Sequence, residues 1–183
     1  MKKIISLLLA LALALSITLT AAEETAAAPV EPLSVNWTDV APEIVGMGLT
    51  GDFYTLQGMD VAFWVPAALQ PADIDATYEE TNVLAAFNST SGKEMYVAFY
   101  ELPVDDIAYF AEVADQVGAQ AGQLLIINGL SAYSFVFENA LHVSFLVEGG
   151  YVLSFDFYPA SDFVFNAIAR IIASSVQPYA DEE

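Results

Sequence analysis

His142 is the first candidate for a catalytic residue, because it is the single histidine of the chain. A Ser-His-Asp mechanism would have to use it, with Ser144 or Ser134 as a nucleophile close by in the predicted sheet. Ser144 lies two residues away, so on a strand it shares a face with His142. The sequence lacks the Gly-x-Ser-x-Gly elbow that exposes the nucleophile of many hydrolases. We therefore predict a strand-edge or half-buried structural histidine and no catalytic residue.

Paired carboxylates could support glycosidase chemistry or calcium binding. The pairs are Asp73 with Asp75, Glu79 with Glu80, and Asp105 with Asp106. An EF-hand loop needs oxygen ligands at several fixed positions around a glycine, and the residues after Asp75 do not supply them. Asp105 and Asp106 fit the first turn of a helix, where the helix dipole favours anions. We predict a solvated acidic loop over 73–80 and no metal site.

Aromatic side chains are the third candidate group, since amphipathic rings can form a carbohydrate-binding or peptide-binding surface. The candidates are Trp37, Tyr54, Trp64, Tyr96, Tyr100 and Tyr158. The alternative is that they belong to the core. Trp64, Tyr96 and Tyr100 alternate with core-facing residues of their strands, so their exposure depends on whether helices cover that face of the sheet. We expect partial cover.

Charge narrows the classes of partner. The 183 residues include 24 acidic and 4 basic residues, which gives a net charge of −20. Lys93 and Arg170, the basic residues beyond the N-terminus, cannot form the cluster that nucleic acid or an anionic membrane requires. The acidic excess either serves a cationic ligand, calcium or a basic partner, or keeps a chain that is 56% hydrophobic in solution, and we favour solubility. The chain has no cysteine, which excludes thiolate metal sites and cysteine nucleophiles.

The N-terminus is typical of an export signal. Lys2 and Lys3 precede the apolar run Ile4–Leu19, and small residues follow up to Ala22. The pattern predicts a signal peptide over 1–22, cleaved between Ala22 and Glu23. The apolar run is shorter than the roughly 20 residues that span a bilayer, and a lipid-bearing cysteine is absent. We therefore expect a secreted or extracytoplasmic mature chain without a membrane anchor.

The remaining chain is predicted to comprise a flexible acidic linker (23–32), a single domain (33–178) and an acidic tail (179–183). Period-two alternation predicts strands, and turn residues separate them. The strands centre on Phe53, Val61–Val65, Val83–Phe87, Met95–Phe99, Leu124–Ile127, Tyr133–Phe137, His142–Val147 and Tyr151–Phe157. Asn128-Gly129 predicts a tight hairpin turn, and Gly149-Gly150 predicts a two-residue loop.

Helical periodicity appears in three places. Trp37–Gly48 fits a short helix with Pro42 in its first turn. A second helix opens at Asp105 and Asp106 and is closed by glycines 118 and 122, and a third has Ser161 as its N-cap and ends before Pro178. Four strands, a helix, four strands and a helix predict an α+β fold, with a largely antiparallel sheet of about six to eight strands and helices packed on it.

Three features together resemble the PsbP-like fold. They are the apolar strand Val61–Pro66 that ends in proline, the turn Asn128–Ala132 that opens a run of hairpins, and the closing helix Ile168–Gln177. The resemblance covers roughly 33–178 and implies an α/β/α sandwich. This fold is shared by photosystem extrinsic subunits, a nuclear Ran-binding protein and small exported bacterial proteins, most of them non-catalytic adaptors or stabilising subunits. It transfers no functional residue.

Together these features predict an exported, non-catalytic bacterial protein that binds an extracellular or envelope partner or ligand, for which a cationic group is one option. No cofactor is predicted. One alternative is a secreted hydrolase that uses His142 or the acidic loop, and it requires His142, a serine and an acid to meet in one cleft. The other alternative is a divalent-cation-binding protein.

Overall fold

The computed structural model describes residues 31–56, 58–74, 82–101, 106–147 and 150–179. The predicted signal peptide, nearly all of the predicted linker and residues 180–183 of the predicted tail lie outside these ranges, as do Asp75, Glu79, Glu80 and Asp105. Within the ranges, no helix has the length and apolar character needed to cross a membrane.

Eleven strands occur in the described ranges. They are β1 (Leu33–Val35), β2 (Gly51–Leu56), β3 (Val61–Pro66), β4 (Gln70–Ala72), β5 (Val83–Asn88), β6 (Glu94–Glu101), β7 (Gln120–Ile127), β8 (Leu130–Phe137), β9 (Ala140–Val147), β10 (Tyr151–Tyr158) and β11 (Gln177–Pro178). Eight form a large sheet in the order β1-β7-β8-β9-β10-β6-β5-β4, and three form a small sheet in the order β11-β3-β2. In these sheets β1 and β7 pair in parallel, and the other pairs are antiparallel.

Three helices accompany the strands: α1 (Trp37–Gly46), α2 (Ala108–Gln116) and α3 (Phe163–Ser174). The α+β class and the largely antiparallel sheet are therefore confirmed, with eight strands in the large sheet. The signal for this sheet is strict alternation, since successive residues of a strand point to opposite faces.

The two faces of the large sheet differ in character. We call the face that carries Val97, Val143 and Phe155 the core face, because all three side chains are fully or almost fully buried. The small sheet packs on it through Phe63, whose ring centroid lies 5.0 Å from that of Phe155. Helix α3 also packs there, through Phe165 against Phe157 on β10. The burial of these large rings contributes to the hydrophobic stabilisation of the fold.

The opposite face, which we call the outer face, carries Tyr96, His142 and Asp156. Helix α2 covers it over β7 and β8, where Ile107 and Ala114 pack against Tyr133. No described helix packs on the outer face over β6 and β10. Among the described helices, α2 thus covers part of the outer face, in line with the partial cover that the sequence predicts.

Several local predictions need correction. Pro42 lies inside α1 and not in its first turn, because the helix begins at Trp37. The side-chain cap of α3 is Asp162, whose Oδ1 accepts a hydrogen bond of 2.8 Å from the N–H of Phe165, and Ser161 lies one residue too early. Helix α3 also ends at Ser174, because residues 177–178 form the short strand β11.

Two further corrections concern strands. The predicted loop after Pro66 contains β4, which forms an edge of the large sheet. Pro71 lies within β4, and an edge position tolerates a residue that cannot donate a ladder hydrogen bond. Gly122 does not close α2 but lies within β7, beside a register shift between Gln120 and Gln123.

The predicted turn at Asn128-Gly129 is confirmed. Both residues have positive φ, 49° and 85°, as the tight hairpin between β7 and β8 requires. The Asn128 side chain also joins distant elements: its Oδ1 accepts a hydrogen bond of 2.7 Å from the N–H of Trp37 at the start of α1. Its Nδ2 donates to the carbonyl oxygens of Ser174 (2.9 Å) and Val176 (2.7 Å) at the end of α3.

Candidate functional site

The outer face over β6 and β10, where no described helix packs, contains a groove of about 320 Å³. We call it the tyrosine groove. It is lined by Glu94, Tyr96, Ala98 and Tyr100 of β6 together with Asp156 and Tyr158 of β10. These residues share one face because they alternate along two paired strands, in which Tyr96 lies opposite Asp156 and Glu94 opposite Tyr158.

The tyrosines are held in place by neighbours within the groove. The rings of Tyr96 and Tyr158 meet edge to face with centroids 6.0 Å apart. The hydroxyl of Tyr96 donates a hydrogen bond of 2.9 Å to Oε2 of Glu94. Tyr100 is 40% exposed, and burial of its phenol, followed by the negative charge of Asp156, raises its pKa above the usual value. Tyr100 therefore stays neutral at physiological pH and presents a ring beside a carboxylate.

A polar network surrounds Asp156, one of the residues that line the groove. Nδ1 of His142 lies 2.7 Å from Oδ1 of Asp156, and the Oγ of Ser154 donates a 2.8 Å hydrogen bond to the same oxygen. The hydroxyls of Ser144 and Ser154 are 3.4 Å apart. The pairing of β9 with β10 produces this cluster, since it places His142 opposite Asp156 and Ser144 opposite Ser154. The imidazole also stacks on the ring of Phe135 at 4.7 Å.

This network contains a histidine, an aspartate and a serine, as a catalytic triad does, but the three are connected in a different order. In a catalytic triad the histidine stands between the acid and the serine, so that it can take the proton of the nucleophile. Here Asp156 stands between His142 and Ser154, and one carboxylate oxygen accepts from both. Ser144 is 0% exposed, and Ser134 lies on the core face opposite Val143. The network therefore orients the Asp156 carboxylate and braces the histidine, and neither serine proposed from the sequence is placed as a nucleophile.

Asp156 and Ser154 are not among the residues that the sequence singles out. The predicted strands end at Val147 and begin at Tyr151, as β9 and β10 do in the structure, and the predicted loop includes Gly149, which lies outside the described residues. Alternation within one strand does not say which residues of the neighbouring strand lie opposite it, because that depends on register. The usable signal was the composition of β10, in which the odd positions 153, 155 and 157 are apolar and suit the core.

The six aromatic candidates divide into two groups. Tyr96, Tyr100 and Tyr158 meet in the tyrosine groove. The other three lie outside the groove and pack against neighbouring rings. Trp64 is 6% exposed beneath Trp37 of α1, at a centroid distance of 6.2 Å. Tyr54 packs edge to face on the ring of Phe87 at 5.1 Å, and Trp37 packs similarly on Phe53 at 5.8 Å.

The described residues of the acidic pairs proposed from the sequence do not line the tyrosine groove. Oδ1 of Asp106 accepts a hydrogen bond of 2.9 Å from the N–H of Ala108, which places it at the start of α2 as predicted. Asp73 is exposed, and the partners proposed for both residues lie outside the described ranges. Within those ranges, no three histidine, aspartate or glutamate side chains come together in a way that could hold a metal ion.

Both basic residues that follow the predicted signal peptide are engaged within the fold. Lys93 forms an ion pair with Asp162, and its hydrogen bond is the main reason that the pKa of the Asp162 carboxyl is lowered. Nε of Arg170 donates a hydrogen bond of 3.0 Å to Oδ1 of Asn166 within α3, and burial lowers the pKa of the guanidinium. The tyrosine groove is lined by neither of them.

Comparison with known proteins identifies the architecture. No family model matches the chain, and no curated protein matches its sequence. The solution structure of cyanobacterial PsbP (CyanoP) from Synechocystis sp. PCC 6803 matches with a TM-score of 0.50 and 16% identity, over 71% of this chain and 93% of that chain. The fold is PsbP-like. The resemblance predicted from Val61–Pro66, the Asn128-Gly129 turn and the closing helix is thus confirmed for the PsbP-like fold, and at this identity it extends to the fold alone.

Proposed function

We propose that this protein is exported, acts without catalysis, and binds a basic segment of a partner protein through the tyrosine groove. One observation carries the proposal: three tyrosine rings and the carboxylates of Glu94 and Asp156 lie together on the outer face over β6 and β10, a part of that face on which no described helix packs. Export is supported by the N-terminal pattern of Lys2, Lys3 and the following apolar run.

The chemistry of the groove favours a cation. A lysine or arginine side chain is attracted by the faces of aromatic rings, and a neighbouring carboxylate adds charge complementarity. Tyr100 brings both together, since its ring is partly exposed and its pKa responds to the charge of Asp156. With a net charge of −20, the chain as a whole also attracts basic partners before contact.

The polar network around Asp156 supports a binding role over hydrolysis. His142 and Ser154 both hydrogen-bond to Oδ1 of Asp156, an arrangement that fixes the carboxylate but supplies no base to a serine. A fixed carboxylate gains affinity because little conformational entropy is lost when a ligand binds.

The test uses the mature chain (23–183) and a Lys-Gly-Lys-Gly-Lys peptide, with the lysine-acetylated peptide as the uncharged probe. We expect the basic peptide to shift the NMR signals of Ala98 and Tyr100. Tyr100→Ala should weaken binding about fivefold, which corresponds to one cation–π contact. Glu94→Gln should weaken it by a similar factor, whereas Glu43→Gln, which removes the same charge from α1, should have little effect.

Two outcomes would contradict the proposal. Equal losses in the Glu94 and Glu43 variants would mean that the peptide senses only the overall charge of the protein. Hydrolysis by the mature chain on ester, glycoside or peptide substrates, abolished by His142→Ala, would establish the enzyme instead.

A further inference from the structure

The outer edge of β2 differs from the other strand edges of the described chain. The two sheets end at β1, β4, β11 and β2. The first two have three residues each and β11 has two, and Pro71 and Pro178 interrupt β4 and β11. β2 has six residues and contains neither proline nor lysine. Short edges and edges with proline resist pairing with another chain, whereas a longer regular edge invites it.

The N–H group of Trp64 shows which way the backbone of β2 points. It donates a hydrogen bond of 2.7 Å to Oγ of Ser175, which precedes β11 and lies on the side of β3 away from β2. Phe53 lies directly opposite Trp64. Because the N–H group of Trp64 points away from β2, these two residues form a non-hydrogen-bonded pair. In such pairs the N–H and C=O groups of both residues point outward. By the same alternation Gly51, Phe53 and Thr55 all direct these groups away from β3.

Aromatic rings flank this edge on both faces. Phe53 is 45% exposed and packs against Trp37 on one face, and Tyr54 is 37% exposed and packs against Phe87 on the other. Packing holds the two rings in place while leaving part of each accessible. Such rings can contact alternate side chains of an added strand, and cross-strand contacts of this kind stabilise a sheet.

We propose that the β2 edge binds an extended, basic segment of a partner protein as an added antiparallel strand. Charge selects this occupant, because β2 itself carries Asp52 and the chain has a net charge of −20. A second copy of the chain would bring the same charge and the same aspartate to the edge, whereas a segment that alternates lysine with valine complements both the charge and the rings. This surface is separate from the tyrosine groove and does not depend on it.

The test uses the mature chain and a seven-residue peptide that alternates valine with lysine. A peptide with the same side chains but N-methylated at alternate amides serves as the control, because it cannot form the ladder. We expect the peptide to slow hydrogen exchange at the outward amides of Gly51, Phe53 and Thr55 by about tenfold or more. The amides of Asp52 and Tyr54, which already pair with β3, should change little.

Two variants at one position sharpen the test. Thr55→Pro removes an outward N–H, which an edge position tolerates, and should weaken binding at least fivefold, the effect of about one hydrogen bond. Thr55→Val keeps that N–H and should bind as the natural chain does. Should the proline variant fail to fold, the alternating protection in the natural chain still decides the question.

Three results would overturn the proposal: equal binding of the N-methylated peptide, protection without alternation along β2, or protection of the same amides by dimerisation of the chain without peptide. Tyr100→Ala separates this proposal from the proposal for the tyrosine groove. If the peptide binds at the β2 edge, this variant should leave the protection of the β2 amides unchanged. Loss of peptide binding in that variant, with no change at β2, would assign the peptide to the groove.

Discussion

Asn128 offers the sharpest test of how this fold is held together. Its side chain accepts a hydrogen bond from the N–H of Trp37 and donates to the carbonyl oxygens of Ser174 and Val176, at distances between 2.7 and 2.9 Å. One residue thus caps α1, closes the turn between β7 and β8, and satisfies carbonyl groups at the end of α3. Replacement by glycine removes all three bonds while preserving the turn, since glycine adopts positive φ without strain.

The expected loss follows from these bonds. A typical intramolecular hydrogen bond contributes about 1 kcal/mol net, so the three together contribute about 3 kcal/mol. Glycine adds about 0.5 kcal/mol through the greater freedom of the unfolded chain. Asn128→Gly should therefore lower the free energy of unfolding by about 3.5 kcal/mol, which a typical domain survives.

Urea denaturation followed by the fluorescence of Trp37 and Trp64 measures this loss. Two asparagines with similar backbone conformation provide graded controls, since Asn139 has φ of 63° and Asn82 has φ of 59°. The side chain of Asn139 accepts one exposed hydrogen bond of 3.0 Å, from the N–H of Ser161, so Asn139→Gly should cost about 1.5 kcal/mol, of which about 0.5 comes from glycine itself. Asn82→Gly should cost about 0.5 kcal/mol. A loss at Asn128 no larger than that at Asn139 would refute the reasoning.

Two further predictions concern individual contacts. Lys93→Met should raise the pKa of the Asp162 carboxyl, which NMR titration measures. Because the pKa of this carboxyl is lowered in the folded natural chain, that chain should be more stable than the variant above pH 3.8. This difference in stability should shrink as the pH falls below 3.8. An unchanged carboxyl pKa would contradict the assigned cause. Gly122→Ala should cost about 1–3 kcal/mol, because the new methyl group would overlap the hydroxyl of Tyr133. Tyr133→Phe should recover part of that loss, and strictly additive losses would argue against the overlap.

The sequence was most informative where the period of a single segment decides the structure. Alternation at Met95, Val97 and Phe99 identified a strand with one apolar face, and these residues do lie together on the core face. The Asn128-Gly129 turn was equally clear, because two adjacent residues with positive φ have few compatible residue types. In both cases the information is local.

The candidate site was harder to predict because it depends on register between strands. Tyr96, Tyr100 and Tyr158 could be named as aromatic candidates, but their convergence depends on β6 pairing with β10, which are some 50 residues apart in the chain. The contact of His142 with Asp156 likewise depends on register, because it forms only when β9 and β10 pair with Val147 opposite Tyr151. Propensity does not encode such pairings, since the contacts of the folded sheet select them.

The contacts of Lys93 and Arg170 bear on the proposed recognition of a basic segment. Lys93 is paired with Asp162, and Arg170 is half-buried beside Asn166. Neither of them lines the tyrosine groove, whose charged side chains, among the described residues, are Glu94 and Asp156. Under the proposed function, the positive charge opposite these two carboxylates is therefore supplied by the bound segment, and the acidic excess of the chain attracts the same kind of segment before contact.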